Sequence, residues 1–295
     1  MTDEVSEDLF LPPRSFAGIP PHAAPLEKAK VIVLPVPYDS TMEYKSGARE
    51  GPQAILDASQ YLELYDTELN REVSEVGIHT LPEVQPVMSG PEHMAERVYQ
   101  IAKSLMGKDR LLAMLGGEHS LTLGMVKAFK KRYRQLSVLQ LDAHADLRDQ
   151  YQGTRYSNAC VMRRVWEICP VVPVGIRSFS LEEHQFMQQN RIQPFYVEAS
   201  TNPDYISRVV SRLSDRVYIS IDLDVFDPSI MPAVGTPEPG GLSWQQVLEL
   251  LRAVAGSKKI VGFDLTELCP REGPSSCTFL AAKLAYKLMG YATSF

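Results

Sequence analysis

Cysteine is scarce, with only Cys160, Cys169, Cys269 and Cys277 in 295 residues. None forms a CxxC pair or a metal-ligand spacing, so a thiolate metal site is excluded and reduced thiols in a cytoplasmic protein are expected. No apolar run approaches the roughly 20 residues that span a bilayer, so no membrane partner is expected. Positive charge is in deficit: 30 Lys and Arg against 36 Asp and Glu leave a net charge of −6. That balance argues against a general nucleic-acid surface. Residues 1–8 are acidic and lack the basic-then-apolar pattern of a secretory signal. No internal repeat is evident. What remains, 44% hydrophobic and 22% charged, is ordinary for a globular chain. The length suits one α/β domain with a large core.

Residues 1–28 hold Pro12-Pro13 and Pro20-Pro21, a composition that predicts an arm or loop ahead of a single domain over 29–295. Apolar runs at 30–36, 111–115, 136–141, 171–176, 192–196, 217–222 and 260–265 read as strands. Between them, segments starting at Gly51-Pro52 and spanning 89–106, 120–131, 181–189, 205–213, 244–255 and 276–291 read as helices. Such alternation predicts an α/β fold, a parallel sheet with helices on both faces. Pro35, which cannot donate to a ladder, predicts a strand end or an edge at that point.

Chemistry concentrates where three of these strands end. Leu141 is followed by Asp142, His144 and Asp146 at alternate positions, which in extended chain share one face. A second strand runs into Asp222 and Asp224. Two like charges at a buried strand end repel unless a cation lies between them. A third runs into Gly116-Gly117-Glu118-His119-Ser120. Here the glycines are expected to let the backbone turn and approach a ligand, and Ser120 to cap the helix that follows. Four carboxylates and two imidazoles are too oxygen-rich for a structural zinc tetrahedron. They suit a pair of higher-coordinate divalent ions such as manganese. Four Asp offset the charge of two such ions, and a bridging hydroxide leaves a site that a cationic substrate neutralises. Metal binding brings the pKa of water to roughly 7, which makes that hydroxide a nucleophile at neutral pH.

These segments resemble the signatures of the ureohydrolase family, which contains arginase and agmatinase. Residues 116–120 resemble its Gly-Gly-Asp-His-Ser, residues 142–146 its Asp-Ala-His-x-Asp, and residues 220–228 with 235–241 its longest signature. The motifs follow the family order over most of the chain from about Val31. The resemblance implies a three-layer arginase-like fold with about eight parallel strands, two manganese ions per chain, and homotrimers or homohexamers. It implies hydrolysis of a small cationic guanidino substrate to urea and an amine. Asp142 and Asp222 would then bridge the ions, with His119 and Asp146 completing one shell and His144 and Asp224 the other. Asp146 would also accept the proton of the attacking hydroxide. Asp264-Leu265-Thr266-Glu267 resembles a family segment whose Glu grips the guanidinium, a role that falls to Glu267, with Thr236 lining the same pocket. Residues 37–52 resemble the rim of the site, where Tyr44, Lys45 and Arg49 have no assigned part. The polar loop 147–160 is the candidate for substrate selection.

Two positions depart from the family pattern. Glu118 stands where the family has Asp, and is expected to lie behind the ligands. Asn158 stands where agmatinases have His, and it cannot titrate, although it can contact substrate. An agmatinase-like enzyme acting on agmatine or aminopropylagmatine, within polyamine biosynthesis, is the leading expectation. Arginase is less favoured, because the loop after Asp146 lacks the Asn- and Ser-rich pattern of a carboxylate grip. A guanidino-acid hydrolase or formiminoglutamase stays open, since Arg148 or Arg155 can hold a carboxylate. So does a metal-bearing binding protein without turnover.

Overall fold

The computed structural model describes residues 13–107 and 109–295. Its sheet contains β1 (Val31–Val36), β4 (Ile78–Thr80), β5 (Leu111–Gly116), β6 (Ser137–Leu141), β7 (Val171–Ile176), β8 (Phe195–Tyr196), β9 (Arg216–Asp222) and β10 (Lys259–Thr266). Their order is β4-β1-β5-β10-β9-β6-β7-β8, every pairing parallel. A two-residue antiparallel pair, β2 (Tyr65–Asp66) with β3 (Arg71–Glu72), stands apart from it.

The strands are apolar throughout because both faces are covered. Val31 and Val33 face one layer, with residues of α1 (Gly51–Ser59), α6 (Tyr205–Arg212), α7 (Trp244–Ser257) and α8 (Ser275–Ser294). Ile32, Leu34 and Val36 face the other, with residues of α2 (Pro91–Leu105), α3 (Thr122–Arg132), α4 (Val161–Trp166) and α5 (Leu181–Gln189). This is the three-layer arrangement that the alternating sequence predicts. Among the described residues, no helix is long and apolar enough to cross a membrane. All four cysteines are buried and unpaired.

Some local expectations change. The strand expected at 192–196 shrinks to Phe195–Tyr196. Strand β1 is internal, yet Pro35 still sits at a local edge. Its partner β4 ends at Thr80, and the Pro35 carbonyl accepts from the amide of Val84 instead. Ser120 caps nothing; it lies inside a 3-10 turn ahead of α3 and donates to Glu118. A Cβ on Gly117 would fall 2.0 Å from the Tyr38 carbonyl oxygen. The close approach that needs glycine there is therefore backbone to backbone, not backbone to ligand. Residues 1–12, with Pro12, lie outside the described residues. The remainder of the leader packs down: Phe16 is buried, stacks at 6.4 Å on Tyr286, and its amide donates to Thr80 Oγ1 at 2.9 Å. His22 is exposed.

The chain leaves β5 and crosses two strand positions before it enters the sheet again as β6. Strands β10 and β9 fill the gap later. The four central strands therefore end side by side at the carboxyl edge, where α/β sheets bind their ligands.

Candidate metal centre

From that edge β5 delivers His119, β6 delivers Asp142, His144 and Asp146, β9 delivers Asp222 and Asp224, and β10 delivers Glu267. His119 Nδ1 lies 3.0 Å from Asp146 Oδ2, 3.3 Å from Asp142 Oδ2 and 3.5 Å from Asp222 Oδ2. His144 Nδ1 lies 2.7 Å from Asp224 Oδ2 and 3.9 Å from Asp142 Oδ1. Two triads that can hold a metal ion result, His119–Asp142–Asp146 and Asp142–His144–Asp224, with Asp142 common to both. All six side chains converge, but not by simple alternation along extended chain. The strands stop at Leu141 and Asp222. Asp146 then adopts a left-handed φ of 53°, and Asp224 sits in a 3-10 turn capped by Asp222. Glu267 is also left-handed, at φ 68°. Two such residues that are not glycine in one site mark backbone held in place by its surroundings.

The electrostatics explain why a cation fits. Burial, then the charge of Asp142, lifts Asp146 to about 7 even against His119. Burial and the charges of Asp224 and Asp142 push Asp222 well above the carboxylate range. Burial opposes the charged form of His144, but Asp224 and Asp142 outweigh it and raise the imidazole to about 10. Oxygen-rich donors with two imidazoles, mutually repelling and shielded from water, are a donor set for divalent cations.

A layer behind the ligands fixes them. His119 Nε2 bonds Ser220 Oγ at 2.9 Å, and Ser220 donates to Asp264 Oδ1 at 2.7 Å. Asp264 also accepts from Tyr218 at 2.6 Å and Thr122 at 3.0 Å. Gln140 Nε2 donates to Asp142 Oδ2 at 2.9 Å and to the His144 carbonyl at 3.1 Å. Arg177 donates to the carbonyls of Asp224 and Glu238, both at 2.7 Å, tying the β9 turn to the 235–241 loop. The apolar strand pattern alone assigns no part to Gln140, Ser220 or Asp264. The available signal was a polar residue inside a buried strand, since such groups persist only when bonded.

Glu267 Oε1 accepts from the His119 amide at 2.6 Å, and the Glu267 amide donates to the Gly117 carbonyl at 2.8 Å. Glu267, Thr236 and Asn158 line one pocket of about 260 Å³ with His144, Asp146, Asp222 and Asp224. Its walls include Met42, Glu43 and Lys45 from the 37–52 loop and Arg148 from the 147–160 loop. Tyr44 is exposed, and Arg49 binds Asp39 and holds that loop. Glu118 lies behind the ligands: it is fully buried and accepts from Thr41 N, Thr41 Oγ1 and Ser120 Oγ. Asn158 Oδ1 accepts from the Ala159 amide at 2.8 Å, and Thr41 Oγ1 lies 3.4 Å from it. A larger cavity, about 750 Å³, opens at the opposite edge of the sheet between Lys28, Arg110, Lys258 and Phe295, and contains none of these ligands.

A parallel sheet carrying two linked His/Asp triads at its carboxyl edge defines the class: an α/β protein built around a site for divalent cations. The family model described as Arginase family matches residues 29–290. N(1)-aminopropylagmatine ureohydrolase of Synechocystis is 39% identical over 273 residues, 89% of this chain and 89% of that protein. The enzyme of the same name from Thermus thermophilus is 40% identical, over 90% of this chain and 92% of its own. The crystal structure of agmatine ureohydrolase of Thermoplasma volcanium is similar with a TM-score of 0.84 and 31% identity, covering 91% of this chain and 92% of that one. This chain belongs to the arginase family, and within it is an agmatinase-like ureohydrolase, a hydrolase of linear amidines.

Proposed function

We propose that the protein hydrolyses a guanidino amine, agmatine or aminopropylagmatine, to urea and the corresponding amine, using two manganese ions per chain. The observation that carries this reading is the pair of triads sharing Asp142, next to a buried carboxylate, Glu267, in one pocket. His119, Asp142 and Asp146 would hold one ion and Asp142, His144 and Asp224 the other, with Asp222 as the second shared carboxylate that the family resemblance implies. When bound, two such ions supply a hydroxide nucleophile at neutral pH and stabilise the charge that develops on the reacting group.

The chain's own residues do the rest. Glu267 keeps one oxygen on the His119 amide and would offer the other to the guanidinium, orienting it in the pocket. Asp146, held close to His119, accepts the proton released by the nucleophile. Thr236, exposed on the pocket lining, would contact the substrate. Asn158 cannot relay protons, so water or another acid must protonate the leaving nitrogen, and Asn158 acts in recognition. We place the reaction in polyamine biosynthesis and the protein in the cytoplasm. Residues 29–295 serve as a single catalytic domain, and the family resemblance supports a homotrimer or homohexamer.

Urea release from agmatine, aminopropylagmatine, arginine and guanidinobutyrate by manganese-loaded protein tests the proposal. Release from one or both amines, and little from the two acids, is expected. Release from none of the four contradicts enzymatic function, and release mainly from an acid contradicts the substrate class.

A further inference from the structure

The pocket has a rim as well as a floor, and its charges are unevenly matched. Two cations line it. Lys45 is tied to Glu272 by an ion pair. Arg148 lies 4.0 Å from Glu183 Oε2, with its guanidinium 4.6 Å from the centre of the Tyr151 ring. Glu183 is itself occupied, by Leu147 N and Ser180 N. Glu43 is different: it lines the pocket, is exposed at its mouth, and has no ion-pair partner among the described residues.

Along one wall of the pocket, half-buried Met42 lies next to exposed Glu43. A Cβ on Gly235 would lie 2.5 Å from Met42 Cε, 3.2 Å from the Lys45 carbonyl oxygen and 3.8 Å from Glu267 Oε2. Glycine at 235 therefore leaves the room into which the Met42 thioether settles, between the loop and Glu267. The sequence along this wall is a buried carboxylate, a half-buried thioether, and an exposed carboxylate. That order matches a molecule with a guanidinium at one end, methylenes next, and ammonium groups farther out.

We propose that Glu43 is a specificity-determining residue that binds the outer ammonium of an elongated guanidino polyamine. It thereby favours substrates of the aminopropylagmatine kind over agmatine. The inference rests on the proposed guanidino-amine hydrolysis and deepens it. Agmatine ends in one amine after four carbons. The aminopropyl extension adds three carbons and a second ammonium, which reaches toward the mouth where solvent can still hydrate it. An exposed carboxylate suits that end, because it attracts a cation without the desolvation cost of a buried pair. Asn158 agrees with this arrangement, since it cannot add the positive charge that a protonated His would set against a polycation.

The test compares wild type, Glu43→Gln and Glu43→Lys, all manganese-loaded, on agmatine and aminopropylagmatine at low and high salt. Glu43→Gln is expected to lower kcat/KM on the longer substrate about two- to fivefold more than on agmatine, mainly through KM. Glu43→Lys should widen the gap, and salt should narrow it. Urea release from agmatine shows that each variant is folded. Equal losses on both substrates, or no loss on either, overturn the proposal. Wild-type turnover of agmatine alone overturns it too, while hydrolysis of a guanidino amine stands. Wild-type turnover of neither amine defeats the underlying functional reading, and the proposal with it.

Discussion

Replacing Ser220 by Ala removes a hydroxyl that never touches the pocket, yet it should weaken metal binding. Ser220 Oγ meets His119 Nε2 at 2.9 Å and passes the contact on to Asp264. His119 and Ser220 are both fully buried, so no water replaces the lost partner. Leaving one buried polar group unsatisfied costs about 1–3 kcal/mol, roughly 5- to 150-fold in an equilibrium. Partners behind metal-bound histidines are typically worth about 10–100-fold in metal affinity. Asp264 softens the loss, because it keeps Tyr218 and Thr122, so the cost concentrates on the imidazole. About tenfold weaker manganese binding is therefore expected, with kcat at saturating manganese changed far less than the affinity. Calorimetric titration of manganese into metal-free protein gives the first quantity, and urea release gives the second. Ser220→Thr keeps the hydroxyl and should recover most of the affinity. Wild-type affinity in Ser220→Ala would refute the reasoning, because the ring would then be held by its carboxylate contacts alone.

Glu267→Gln should retain manganese and its bond to the His119 amide while losing roughly 1.5–3 kcal/mol of substrate recognition, read as kcat/KM on the best substrate; unchanged efficiency places Glu267 outside the reaction. Asn158→His should alter the ranking of agmatine, aminopropylagmatine, arginine and guanidinobutyrate; a uniform rise on all four assigns that position to proton relay, not recognition. Lys287→Met should destabilise the fold by roughly 3–5 kcal/mol in denaturant titrations near neutral pH, because it strips buried Asp66 of a cation 3.0 Å away and Glu68 of the same partner. Burial opposes ionisation of Asp66 and Glu68, but their hydrogen bonds and Lys287 outweigh it and depress both pKa values. Groups depressed in the folded state contribute stability above their unfolded pKa and lose it as the pH falls through the folded one. The difference between wild type and Lys287→Met should accordingly shrink below about pH 4; a constant difference would assign the effect to packing.

The fold was legible because its signals are local and repeated. Seven apolar strand segments separated by helical periods leave few arrangements other than a doubly covered parallel sheet, whereas edge strand β4, three residues long, is too short to show a period. The candidate ligand set was legible for a similar reason, since Asp142, His144, Asp146, Asp222 and Asp224 lie at or just past strand ends. How they converge was not. The left-handed turns at Asp146 and Glu267 depend on contacts between segments far apart in sequence, such as the Glu267 amide on Gly117. The layer behind these side chains was less legible because a single Gln140 or Ser220 barely disturbs an apolar run, and the partners of Ser220, His119 and Asp264, come from other strands. The role of Gly117 was misplaced for the same reason: Tyr38, which its backbone meets, is 79 positions away along the chain.

The proposed function requires two manganese ions among six side chains at the carboxyl edge of the sheet. Metal analysis of manganese-loaded protein, with the ions located by anomalous scattering, tests it most directly. Two ions per chain are expected, one beside His119 and Asp146 and the other beside His144 and Asp224, with Asp142 between them. In Asp222→Ala the manganese content should fall and urea release should vanish. A single ion, a tetrahedral zinc, or an Asp222→Ala protein with full activity would contradict the account.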